Sequence, residues 1–208
     1  MAKTTYPLTP GQLRTVCGWA KEYDKTGRDR TLFLFAAHCA LRISDILRLK
    51  YEDVFYPDAV KQIRFRDYVK VKERKTGKTR RFKVSDRIRG DMKWYVKKNK
   101  IGPGMWLFFS FRDQSKPLDR TNAWRVCHKC TEETGIVTAP HSFRKTFGRT
   151  LVEYSKNPKF TISKLQMVYG HRSQKETIKY LGFLQEEIDE MTEEVANIYD
   201  LPPWDATT

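Results

Sequence analysis

The chain has 208 residues, enough for one domain with a sizeable core, and 40 Lys and Arg against 25 Asp and Glu, a net charge of +15. That excess argues for a polyanion partner and against a purely apolar one. No apolar run approaches the length of a membrane span, and Met1-Ala2-Lys3-Thr4-Thr5 lacks the apolar core of a signal segment, so a cytoplasmic protein is expected. The charge is also uneven. No Lys or Arg follows Lys179, whereas eight acids do: Glu186, Glu187, Asp189, Glu190, Glu193, Glu194, Asp200 and Asp205. Residues 1–180 hold all 40 basic residues and the other 17 acids, a net of +23.

In chain order, Thr9-Pro10 predicts a helix start, as cap and first-turn proline. Leu13, Val16, Cys17 and Ala20 line its inner face, and Lys25-Thr26-Gly27 is expected to end it. Arg30 to Leu41 is apolar all round through Leu32–Ala37 and predicts a buried helix. His38 within it reads as a satisfied core histidine. Ser44 is expected to cap a helix through Leu49, with Asp45 in its first turn. From Asp53 to Val84 the pattern alternates, at Ile63–Phe65, Tyr68–Val71 and Arg81–Val84. It predicts a small antiparallel sheet with Lys75-Thr76-Gly77-Lys78 at a hairpin turn.

Asp86–Lys98 predicts a helix with Ile88, Met92 and Tyr95 inward, and Trp106–Phe109 a short extended segment. Loop then helix is expected over Pro117–Glu133, with further helices at His141–Tyr154, Ile162–Tyr169 and Gln174–Tyr180. Cys17 and Cys39 read as small buried hydrophobes. Cys127-His128-Lys129-Cys130 is a lone C-x-x-C without a second ligand pair, so an ordinary helix is expected there and no metal. The fold class expected is mainly α with a small antiparallel β-sheet (α+β). Leu184, Ile188, Met191, Val195 and Ile198 form the apolar stripe of an acidic helix that Leu201-Pro202-Pro203 stops. The expected division is 1–183 as a catalytic domain and 184–208 as this helix and tail.

The chemistry concentrates between Pro140 and Tyr180. His141 and Arg144 lie three apart, on one helix face. Gly170-His171 follows, and Tyr180 stands nine residues after His171. A phenol, two imidazoles and a guanidinium suit phosphodiester cleavage with the protein as nucleophile. A half-buried tyrosine, a surface salt bridge for Arg42 and a solvated turn lysine are the plainer readings of the separate residues.

His141-x-x-Arg144, Gly170-His171 and Tyr180, preceded by Leu41-Arg42-Ile43-Ser44-Asp45 and by Lys75-Thr76-Gly77, resemble in order and spacing the signature of the tyrosine recombinases, the phage-integrase family. The resemblance covers Arg42 to Tyr180 and implies that family's catalytic fold. It implies Tyr180 as nucleophile and Arg42 and Arg144 as phosphate clamp. Lys75 is implied as general acid for the leaving 5′ oxygen, with Lys72, Arg74 and Lys78 competing for the role. His141 is implied as the aid to tyrosine deprotonation, His171 as a phosphate hydrogen-bonding group, and Asp45 as an orienter of the site's cations.

The implied reaction is a metal-free, ATP-free transesterification through a 3′-phosphotyrosine, with no cofactor. The implied partners are double-stranded DNA, a homo-oligomer (a tetramer on two DNA sites) and accessory DNA-bending proteins, with no membrane; the implied setting is a bacterial or phage-infected cell. Only 41 residues precede Arg42, so the chain resembles the short members that invert fimbrial promoters, or the catalytic fragment of a longer integrase. A type IB topoisomerase-like relaxase and a non-catalytic DNA-binding pseudo-integrase are the alternatives.

Overall fold

The computed structural model describes residues 5–57, 62–183, 189, 190, 193 and 194. The chain divides into two compact units, the first ending at Tyr154 and the second beginning at Ser155. The expected tail helix through Leu184, Ile188, Met191, Val195 and Ile198 lies outside the described residues, as do the limits of a separate 184–208 segment.

Helix α1 (Pro10–Tyr23) starts as expected. Thr9 Oγ1 accepts from Gln12 N at 3.2 Å, Gln12 Oε1 accepts from Thr9 N at 2.9 Å, and Pro10 needs no N–H partner there. It ends at Tyr23, earlier than expected, because Asp24 folds into the loop and accepts from Thr26 N and Asp29 N. Gly27 therefore opens helix α2 (Arg28–Cys39) instead of closing α1. Its φ of 78° suits glycine. Helix α2 is the centre of the first unit, with Leu32, Phe33, Phe35, Ala36, Ala37 and Cys39 buried. Phe33 stacks on Phe143 at 4.5 Å between ring centroids. His38 is half-buried and its Nδ1 lies 2.7 Å from Leu34 O, the satisfied histidine expected.

Helix α3 (Ile43–Ile46) is a single turn, shorter than the expected helix through Leu49, and Arg42, not Ser44, holds its cap position. The reason is upstream. Ala40 takes a left-handed φ of 52°, which turns the chain out of α2 and leaves Arg42 extended before the new turn. Helix α4 (Tyr51–Val54) follows. Strands β1 (Val69–Lys72) and β2 (Thr79–Phe82) are the antiparallel sheet, paired Val69 to Phe82 and Lys72 to Thr79. The Ile63–Phe65 segment does not join it. Arg64 O and Arg66 N bond to Tyr56 N and Val54 O at 2.9 Å, which draws this segment onto the end of α4.

Helix α5 (Asp86–Lys98) buries Ile88, Met92, Tyr95 and Val96. Trp106–Phe109 is extended and bridges Lys50 on one side and Pro117 on the other. Helix α6 (Arg120–Thr134), capped by Asp119, buries Ala123, Cys127 and Cys130. All four cysteines are buried, and burial pushes the Cys17 and Cys39 thiols up to about 12. Among the described residues no cluster of His, Cys, Asp or Glu is arranged to hold a metal, and no helix is long and apolar enough to cross a membrane. Helix α7 (Pro140–Glu153) packs on α2 through Phe143.

The second unit pairs helix α8 (Pro158–Tyr169) with helix α9 (Gln174–Leu181). Asn157 caps the first and Ser173 the second, and Gly170, at φ 72°, ends α8.

Candidate active site

The first unit gathers cations where α2 stops. The carbonyls of Cys39 and Ala40 accept from Arg80 at 3.3 and 2.9 Å, a cationic complement to a helix C-terminus. Two residues on, Arg42 Nη1 donates to Glu73 Oε2 at 2.9 Å. Glu73 Oε2 also accepts from Thr76 Oγ1 at 2.8 Å, and Arg80 Nη1 lies 3.7 Å from Oε1. Glu73 is 4% exposed. Burial alone would raise its pKa, but Thr76, Arg42 and Arg80 outweigh burial and hold the carboxyl below its ordinary value.

The hairpin tip is tied to the same corner. Asp45, also buried, accepts from Arg74 N at 3.0 Å, so it orients the turn backbone beside Lys75. Lys75 itself is exposed in the turn, between Arg74 and Thr76. Lys78 instead closes the hairpin, its carbonyl accepting from Glu73 N at 2.9 Å. Lys72 lies on the outer face of β1.

His141 sits in the first turn of α7 and Arg144 one turn later, as the three-residue spacing requires. Arg144 is buried at 4% exposure, whereas His141 is exposed. Loss of water around the ring, then the charges of Arg144, Lys145, Arg120 and Arg42, hold the His141 pKa below the ordinary imidazole value. Because the residue keeps much of its surface in water, that desolvation is partial and the surrounding cations give the shift its local meaning. Arg42, His141 and Arg144 thus share one electropositive neighbourhood. His141 also lines a hollow of about 610 Å³, together with Arg120 and Trp124.

In the second unit, the turn after Gly170 and the first two turns of α9 bring His171 and Tyr180 together. Their ring centroids are 5.1 Å apart, edge to face, and Tyr169 lies within 5.3 Å of both. His171 Nδ1 is 3.0 Å from Thr177 Oγ1, and that hydroxyl reaches Ser173 O at 3.3 Å. Tyr180 is half-buried.

Sequence reading missed Glu73, Arg80, Thr76 and Thr177. Glu73 had a signal: it continues the inward series Val69, Val71 of β1, where an apolar residue is expected. Arg80 is the partner of Val71 across the hairpin and shares that inward face. Thr177 had no comparable signal.

The family model of the phage integrase family matches residues 7–187. The chain belongs to the phage integrase family. Among curated integrases it is 32% identical over 179 residues to "Probable integrase/recombinase YoeC" of Bacillus subtilis, covering 85% of this chain and 87% of that protein. It is 25% identical over 167 residues to the tyrosine recombinase XerA of Pyrococcus furiosus, covering 80% of this chain but only 54% of XerA. This integrase is therefore a tyrosine-type site-specific recombinase by family.

The solved structures agree on the fold. A crystal structure of XerA recombinase superposes with a TM-score of 0.66 at 18% identity, over 93% of this chain and 65% of that one. A λ integrase dimer bound to a COC′ core site gives 0.62 at 16% identity, over 87% of this chain and 49% of that one. The integrase spans about half to two thirds of these longer chains.

Proposed function

We propose that this integrase cuts and rejoins double-stranded DNA at specific sites through a 3′-phosphotyrosine on Tyr180, without metal or nucleotide cofactor. The observation that carries the reading is the shared neighbourhood of Arg42, His141 and Arg144, three members of one sequence signature drawn from the residue before α3 and from α7.

The Tyr180 oxygen attacks the scissile phosphorus and its proton passes to His141. The phenol has an ordinary pKa of about 10 and needs that help at neutral pH. A His141 pKa below the ordinary value keeps the imidazole neutral and able to accept. As the new O–P bond forms, the bond from phosphorus to the 5′ oxygen breaks, and Lys75 delivers a proton to that oxygen. Arg42 and Arg144 hold the non-bridging oxygens, where charge concentrates in the transition state, and His171 hydrogen-bonds one of them. A 5′ hydroxyl from a second strand reverses the step onto a new partner.

The DNA backbone is met by the basic surface. Arg64 lies over the Tyr56 ring and Arg81 over the Tyr68 ring, each at 4.1 Å, which arrays guanidiniums on rigid aromatic bases. Strand exchange needs four protomers on two sites, and the acidic C-terminal segment is the proposed link between neighbours. Accessory bending proteins would set the geometry of the sites.

The test is to recover DNA attached covalently to the protein in cells, then repeat the cleavage in vitro on a nicked duplex of that site. Wild-type protein traps an adduct on a denaturing gel, and Tyr180→Phe binds but traps none. An adduct in Tyr180→Phe removes Tyr180 from the role. Relaxation of supercoils without exchange between paired sites would favour the topoisomerase-like alternative.

A further inference from the structure

Glu73 stands apart from the residues the signature names, yet three of the hairpin's anchors converge on it. Its carboxylate accepts from Arg42 at 2.9 Å and from Thr76 at 2.8 Å, and Arg80 sits 3.7 Å away. Its backbone closes the turn, because Glu73 N donates to Lys78 O and Gly77 N donates to Glu73 O at 2.8 Å. The turn so closed carries Lys75. An apolar residue would satisfy this inward strand position at less cost in desolvation. A carboxylate here instead ties the Arg42 guanidinium and the hairpin turn to each other.

We propose that Glu73 is a positioning residue for DNA cleavage: it holds the Arg42 guanidinium and the Lys75 turn in one register, so that clamp and proton donor reach the same phosphodiester. This rests on the roles proposed above for Arg42 and Lys75. A guanidinium offers five N–H donors in a planar fork. Glu73 takes one edge of that fork at Nη1, which fixes the plane in which the remaining donors lie. Thr76 couples that fixed point to the residue next to Lys75. Arg80, tied to the carbonyls of Cys39 and Ala40, secures the assembly to the end of α2.

The substitution is Glu73→Gln in the full chain, which keeps an acceptor oxygen but removes the charge. Two readouts separate this idea from the reading beneath it. The first needs no DNA: amide hydrogen exchange at Arg74, Gly77 and Lys78. Faster exchange at these three amides, with the core of α2 and α5 unchanged, is expected. Wild-type exchange there overturns the proposal, whatever the protein does to DNA.

The second is single-turnover cleavage of the recovered site, with an ordinary phosphate and with a 5′-bridging phosphorothioate. The sulfur leaves as a thiolate and needs no proton. Glu73→Gln should cleave the oxygen substrate about 10- to 100-fold more slowly, the scale of a displaced catalytic group. It should recover part of that loss on the sulfur substrate, at unchanged single-site affinity. Thr76→Val, in an exposed turn that tolerates the change, should lose severalfold on oxygen and recover fully on sulfur. Cleavage by Glu73→Gln within twofold of wild type overturns the proposal, as does a loss that only follows a lower melting temperature or weaker binding. Failure of wild-type protein to form any adduct would sink the proposed function and leave the exchange result to judge Glu73 alone.

Discussion

Removing Arg42 should reveal how much the Glu73 carboxylate depends on it. In Arg42→Ala, Glu73 keeps Thr76 Oγ1 at 2.8 Å and Arg80 at 3.7 Å but loses its 2.9 Å guanidinium partner. Breaking a fully buried ion pair from one side costs about 3–5 kcal/mol. Here the Arg42 side chain is 19% exposed and two partners remain, so about 1–3 kcal/mol is the appropriate scale. For a chain of this length each kcal/mol moves the melting temperature by roughly 2–4 °C, giving a drop of about 2–12 °C at pH 7. The pH dependence has a defined sign. In the wild type Glu73 titrates below its ordinary value, so its contribution is present above the unfolded value of about 4.3 and lost as pH falls through the lower folded pKa. Without Arg42, burial meets less opposition and the folded pKa rises, so the buried carboxylate costs stability at neutral pH. The gap between Arg42→Ala and wild type should therefore be widest near pH 7 and shrink as pH approaches 4. Adding Glu73→Gln to Arg42→Ala should recover more than half of the loss. Thermal and urea melts of the four proteins at pH 4 to 7 measure this. A variant melting within 1 °C of wild type at pH 7, or a double variant worse than the sum of the singles, refutes the reasoning.

Binding should be steeply salt-dependent, with log affinity falling by roughly 0.9 per decade of salt for each phosphate neutralised, and a flat dependence would remove the polyanion argument. Adduct formation should rise with pH through a midpoint below about 6.5, the ordinary imidazole value, and then level off. Arg120→Ala, which removes one of the charges depressing His141, should move that midpoint upward; an unmoved midpoint assigns the titration to another group. Gly27→Ala should cost about 1–2 kcal/mol in a urea melt, because φ is 78° there. The new Cβ would also fall 2.4 Å from Trp94, but Trp94 is 53% exposed and can swing away. Trp94→Ala should therefore not restore the loss; full restoration would show that the clash, not the backbone, set the cost.

Local chemistry makes much of this chain legible in its sequence. Thr9-Pro10 starts α1, because capping needs only a side chain within three residues of the N–H groups it serves. The all-round apolar pattern of Leu32–Ala37 identified the central helix, since only a helix enclosed by its own unit is apolar on every side. The spacing of His141 to Arg144 put both on α7, and the nine residues from His171 to Tyr180 span the turn before α9 and nearly all of that helix.

What pairs at long range was not legible. The sequence gives Ile63–Phe65 and Tyr68–Val71 the same alternation, and only the hydrogen bonds to Val54 and Tyr56 send the first to α4 and leave the second to the hairpin. Ser44 looks a better cap than Arg42, until the left-handed Ala40 shifts the helix start back. Glu73 looks like one more surface acid in a basic hairpin. It becomes the partner of Arg42 because strand alternation turns it inward and the α2–α3 corner brings the guanidinium to it, 31 residues away in sequence. Residue types and short spacings determine caps, faces and motifs, whereas which buried charge meets which is decided by packing between segments that carry no local record of each other.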